Sequence, residues 1–159
     1  MSGDKSAFSG NLPVDATGLR FAVITARFNR KITDRLRDSA TRTLIGAGAA
    51  DRDIAVFEVP GCFEIPIVAK RLAESGRFDA IIALGAVIRG ETPHFEYVAK
   101  EAAAGVARAA YDTGVPVSFG ILTTDTLAQA AARAGGPRGN KGTEAALTAV
   151  ELARLLRSI

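Results

Sequence analysis

Between Gly85 and Phe95 the chain reads GAVIRGETPHF, where an apolar run gives way to glycine, threonine, proline and the chain's only histidine, His94. Thr92 suits a helix N-cap, Pro93 suits the first helical position, and Gly90 lets the backbone approach a ligand closely. Free amide groups and the positive end of the helix dipole would then face the space before them, which is the chemistry of an anion site. A phosphate there would accept bonds from the Glu91 and Thr92 amides and from the Thr92 hydroxyl. The Glu91 carboxylate would have to turn away, because its charge opposes phosphate. His94 comes next, at the positive helix end, which disfavours a second positive charge and leaves the ring able to accept and return a proton. On this segment alone, a capped helix start with a surface histidine fits as well.

Other residues with chemical potential follow other apolar runs. Phe28, followed by Asn29, lies among polar neighbours, where it offers a flat stacking surface to a heteroaromatic ring or folds back under its own loop. Glu64 follows Gly61-Cys62-Phe63 at a helix start, so its carboxylate could accept hydrogen bonds from a polyol or simply favour the helix dipole. Cys62 has no neighbouring base to lower its pKa and reads as a wall residue, not a nucleophile. GGPRGNKG, residues 135–142, fails as a P-loop because its lysine follows Asn140 and the segment joins two helices. Gly46-Ala-Gly48 lacks the third glycine and the preceding strand of a dinucleotide fingerprint. A response-regulator reading fails too, since the first strand ends without paired acidic residues.

The elements that must position these residues alternate. Apolar, β-branched runs at 19–25, 54–59, 80–88 and 115–122 have the character of buried parallel strands covered on both faces. Between them lie helical segments at 32–47, 64–75 and 93–113, followed by 124–134 and 143–156 around a glycine-rich break. The order β-α-β-α-β-α-β-α-α with right-handed crossovers predicts an α/β, three-layer flavodoxin-like fold: a four-stranded parallel sheet, ordered 2-1-3-4, flanked by helices. In such a sheet ligands bind beyond the carboxyl ends of the strands, and all four strand exits carry the polar or small residues a site needs. Residues 1–18, rich in turn formers, read as an N-terminal arm, either flexible or borne by a partner; residues 19–159 read as a single domain.

Composition narrows the function classes. The chain has 159 residues, 48% hydrophobic and 23% charged, with 20 basic against 17 acidic residues. That is the composition of a folded globular protein, and the absence of a basic block or stripe argues against nucleic-acid binding. One cysteine and one histidine exclude an intrachain disulfide and any thiolate or histidine cluster for a metal, pointing to a reducing compartment and metal-free chemistry. The first residues hold no signal-like apolar core and the longest apolar run is too short to cross a bilayer, so a cytoplasmic protein without membrane contact is expected.

Together, Phe28-Asn29, PGCFEIP (60–66), GAVIRGETPHFEYV (85–98), FGILTTDT (119–126) and GNKGTEAA (139–146) closely resemble the lumazine synthase family, from about residue 19 to the end. The resemblance implies condensation of 5-amino-6-(D-ribitylamino)uracil with 3,4-dihydroxy-2-butanone 4-phosphate, without cofactor or metal. It implies that Phe28, with Asn29 beside it, stacks on the uracil ring, that Cys62, Phe63 and Glu64 hold the ribityl chain, and that the backbone of Ala86, Val87 and Ile88 binds the pyrimidine edge. Glu91 and Thr92 would hold the phosphate and His94 would move protons. Phe119 and Arg133 would come from a neighbouring subunit, Arg133 onto the phosphate, and Lys141 would approach the uracil side. Homo-oligomers follow from the same resemblance: pentamers as the minimum unit, a hollow 60-subunit shell as the expected assembly, active sites between subunits, riboflavin synthase as a candidate partner, and the arm as a strand for a neighbour's sheet. The rival is a non-catalytic flavin or lumazine carrier or shell protein on the same fold. Joint presence of Phe28, Thr92, His94 and Arg133 argues against it.

Overall fold

The computed structural model describes residues 14–159. Four parallel strands, β1 (Phe21–Ala26), β2 (Ile54–Val59), β3 (Ala80–Ile88) and β4 (Val117–Thr124), form one sheet in the order β2-β1-β3-β4. Both the strand set and the order agree with the apolar runs and the crossover rule. Burial is uneven, however. Every residue of β1 is buried and β3 is buried up to its last residue, whereas β2 exposes Val56 and Glu58 and β4 exposes Phe119 and Thr123. The expectation that all four strands are covered on both faces fails for these two because they are the sheet's edges.

Helices α1 (Arg30–Gly46) and α5 (Lys141–Ser158) cover one face, and α2 (Ile65–Glu74) and α3 (His94–Thr113) cover the other. On the first face, Leu36, Ala40 and Leu44 of α1 meet Val23, Ile82 and Leu84 of the sheet and the alanines of α5. The two helices approach so closely that a Cβ on Gly142 would strike the Leu36 carbonyl. Small residues here therefore set the helix spacing. On the second face, Ile24, Ile81, Ala83 and Ile121 pack against Ile65, Ala69, Ala102 and Val106.

The glycine-rich break differs from expectation. α4 is a short helix, Leu127–Ala132, because Thr124 stays in β4 and Thr126 caps the helix, exchanging bonds with Gln129 in a capping box. Beyond it, β5 (Ala134–Gly136) and β6 (Gly139–Asn140) make a small antiparallel hairpin, with Gly135 at φ +97° and Gly139 at φ +82°. Such φ values favour glycine, so the stretch read as a glycine-rich break forms two short strands with glycine at both positions of positive φ. Asn140 then caps α5 by accepting from the Gly142 amide at 2.8 Å.

Of the arm expected over residues 1–18, residues 14–18 pack onto the domain. Ala16 is fully buried and its amide donates to Ala47 O at 2.8 Å, while Arg154 donates to Asp15 O at 2.8 Å and Thr17 O at 2.5 Å. Residues 1–13 lie outside the described residues. No helix among the described residues is long and apolar enough to cross a membrane.

Candidate active site

Parallel pairing sends β1, β2 and β3 out at the same edge, and the loops that follow them enclose a cleft of about 460 Å³. That volume suits a small organic ligand. The β1–α1 loop continues the ladder past the end of the strands: Arg27 N donates to Val59 O at 2.8 Å and Phe28 N to Pro60 O at 3.0 Å. This backbone grip fixes the loop while leaving the Phe28 ring 72% exposed at the cleft, so the ring is not folded under its loop. Asn29 is the one non-glycine residue with positive φ among those described, at +62°. Its side-chain amide donates to Ala86 O at 2.9 Å, bracing the β1 exit against β3. Asn29 itself does not line the cleft.

The β2–α2 connection is a 3-10 turn, Cys62–Glu64, that leads into α2 with Pro66 near its start. Phe63, 58% exposed, and Glu64 line the cleft, while Cys62 is buried in its floor. A Cβ on Gly85 would collide with the Cys62 sulfur, so glycine in β3 is what makes room for the thiol. Burial pushes the thiol up to about 12; the Ala86 backbone hydrogen bond works in the other direction, and the Glu64 carboxylate adds to the rise. A thiol held protonated in this way is a poor nucleophile at neutral pH.

Ala86, Val87 and Ile88 of β3 form the cleft's inner wall, and Gly90, Thr92 and His94 form its next side. The helix start differs from expectation. α3 begins at His94, with Pro93 at the cap position, and no side chain caps it. Thr92 thus lies one residue before the cap and lines the cleft without closing the helix, so its hydroxyl is not consumed by an N-cap bond. Glu91 is exposed and not part of the lining. Phe95 and Val98 also line the cleft. Sequence reasoning missed both, although they fall on the helix face next to His94 at the spacing of one turn.

Only three of the four expected loops build the cleft. The β4–α4 loop reaches it indirectly, through Asp125, which pairs with Arg89 at 2.8 Å. Phe119, Arg133 and Lys141 stand apart from the lining. Phe119 is 40% exposed on edge strand β4, Arg133 donates to Gln129 O at 3.0 Å at the end of α4, and Lys141 pairs with Glu144 at 2.7 Å. No lysine or arginine lines the cleft among the described residues, and these contain no cluster of three or more potential metal ligands.

An open parallel α/β sheet with aromatic, carboxylate and imidazole groups around a strand-end cleft defines an enzyme-like small-molecule site of the doubly wound class. The family model for 6,7-dimethyl-8-ribityllumazine synthase matches residues 18–157. A 6,7-dimethyl-8-ribityllumazine synthase of Syntrophus aciditrophicus (strain SB) is 56% identical over 144 residues, spanning 91% of this chain and 94% of that protein. The chain belongs to the 6,7-dimethyl-8-ribityllumazine synthase family.

The Cys62 environment yields a direct test. With the thiol at about 12, the thiolate fraction at pH 8 is on the order of 10⁻⁴. Iodoacetamide at pH 8 should leave the native thiol unmodified and label it promptly in denaturant; rapid native labelling would contradict the burial. Because the folded chain holds this proton more tightly than the unfolded one, the contribution to stability is full below about pH 9 and declines as pH rises towards 12.

Proposed function

We propose that the cleft condenses 5-amino-6-(D-ribitylamino)uracil with 3,4-dihydroxy-2-butanone 4-phosphate, giving 6,7-dimethyl-8-ribityllumazine with release of phosphate and water. The observation that carries this reading is the meeting of Phe28, Cys62–Glu64, Ala86–Ile88, Thr92 and His94 around one cleft in a chain of this family. Phe28 offers its exposed face to the uracil ring, with Asn29 holding the loop against β3. The ribityl hydroxyls would reach Glu64 and the 62–64 turn, and the backbone of 86–88 would read the pyrimidine edge. Peptide groups and the Thr92 hydroxyl between Gly90 and the start of α3 would bind the phosphate, Glu91 contributing backbone only.

His94 stands beside that phosphate region at the first position of α3. Amine addition to the ketone, loss of water to the imine, departure of phosphate, and ring closure by the ribityl-bearing nitrogen with loss of a second water each move a proton, and one positioned imidazole can take and return it. Turnover uses no metal or cofactor in this scheme.

A dianionic phosphate in a cleft without cationic side chains would be poorly held, since an uncompensated charge is costly where water is displaced. The missing charge has a source in Arg133, and the missing aromatic wall in Phe119, both outside the lining of their own cleft. We read these two as serving a neighbouring subunit's cleft, with Lys141 towards the uracil side. Large exposed apolar side chains, Ile67, Tyr97, Tyr111 and Leu127, are consistent with faces covered by other copies. The open edge of β2 would take a strand from a neighbour's arm. The assembly we propose is a pentamer built up to a hollow 60-subunit shell in the cytoplasm, with riboflavin synthase as its partner.

Two measurements check these points. Mixing the purified protein with both substrates should produce lumazine absorbance, and His94→Ala should slow turnover by about 10²–10⁴-fold; a wild-type rate at background would favour a carrier, and an unchanged variant would remove His94 from the mechanism. Light scattering should give the mass of a 60-subunit particle, and a pentamer's mass would overturn the shell.

A further inference from the structure

Arg89 follows the last residue of β3 and binds three separate parts of the fold. Its backbone N–H donates to Thr124 O at 2.9 Å. Its Nε donates to Asp125 Oδ1 at 2.8 Å and its Nη1 to Glu96 Oε1 at 3.3 Å. The guanidinium carbon lies 4.5 Å from the centroid of the Phe95 ring. Phe95 and Glu96 are the second and third residues of α3, directly after His94. Arg89 therefore grips the turn that presents the histidine while being anchored to the end of β4.

The grip matters because little else holds that turn. α3 has no side-chain cap, Gly90 precedes it, and residues 90–94 are exposed. Arg89 also sits outside the cleft lining, so within this chain it does not reach the substrate space. A single exposed ion pair adds little stability. A planar guanidinium that meets two carboxylates from different elements and stacks on a ring does something else: it restricts orientation. A lysine could keep one ion pair but would lose the fork and the stack.

We infer that Arg89 is a positioning residue for the condensation, setting through Phe95 and Glu96 the direction in which His94 faces the cleft. The inference rests on the functional reading above. Its second effect is on the cleft wall, since Phe95 is part of the lining and the guanidinium lies against its ring.

The test uses the assembled enzyme with Arg89→Met, which keeps an unbranched apolar stem and removes the fork, and with Arg89→Lys. Arg89→Met should lower kcat about tenfold, less than the ~10²–10⁴-fold expected when the acid/base group itself is removed, while KM for the ribitylaminouracil stays within about twofold. Arg89→Lys should recover part of the lost kcat, and Glu96→Gln should lower kcat in the same direction. Hydrogen exchange read by mass spectrometry should speed up across residues 94–100 of Arg89→Met and stay unchanged across 101–113. An unchanged kcat in Arg89→Met overturns the inference. So does a loss of kcat accompanied by faster exchange along all of α3 and a lower Tm, which would make Arg89 a general stabiliser. A wild-type protein without synthase activity would instead overturn the functional reading, and the positioning role with it.

Discussion

Everything at the cleft depends on β1 being hydrogen-bonded in parallel register on both sides. Phe21 to Ala26 pair with Ile54 to Val59, and Phe21 to Thr25 pair with Ala80 to Leu84. Three strands running the same way must end at the same edge, and the crossovers return their helices to the faces. The loops then meet without any long insertion. Past the last ladder pairs, Arg27 and Phe28 still donate to the β2 exit, and Asn29 reaches across to Ala86 on β3. The Phe28 ring is thus held out by the backbone behind it. Between the strands, Gly85 leaves the gap that Cys62 fills, so the 62–64 turn can lie flat against β3. Replacing that glycine would push the turn into the space the cleft occupies.

The arrangement is apolar where a ring would lie and lacks fixed positive charge where a phosphate would lie. The ionisable side chains in its lining are Cys62, Glu64 and His94, and the first of these is held protonated by burial. Helix-end amides favour an anion but supply only partial charge. A phosphorylated substrate therefore calls for a guanidinium or ammonium from outside the cleft, and Arg133 and Lys141 lie on other parts of the domain. Oligomerisation, on this reading, is part of the chemistry: the fold of one subunit builds the hydrophobic and proton-moving half, and the next contributes the cation.

Much of the fold was legible in the sequence because buried parallel strands are written as unbroken apolar runs. The strand at 80–88 falls where every residue is apolar or glycine, and the strand at 54–59 where every residue but Glu58 is apolar. Less legible was anything decided across space. The β5–β6 hairpin hides in a glycine-rich stretch because its strands pair with each other and bury only Ala134. Thr92 has the right type for an N-cap, but the proline after it takes the cap position and the helix starts one residue later. Edge exposure of Val56 and Phe119 follows from the 2-1-3-4 order, which puts the second and fourth strands at the edges, and the apolar character of their runs pointed the other way. Phe28, Cys62, Glu64 and His94 could be picked out from their places after apolar runs. Arg89 could not, since its partners Glu96 and Asp125 come from two different elements, one of them 36 residues away.

On the proposed reading, each site takes its proton-moving group from one subunit and its cation from the next. Subunits of His94→Ala and Arg133→Ala, each nearly inactive alone at low butanone phosphate, can be unfolded together and reassembled in equal amounts. Random assortment around a symmetric ring then gives about one quarter of interfaces an intact His94 opposite an intact Arg133. The mixed assembly should regain lumazine formation approaching that fraction of the wild-type rate. A mixed assembly no more active than its two parents would contradict it.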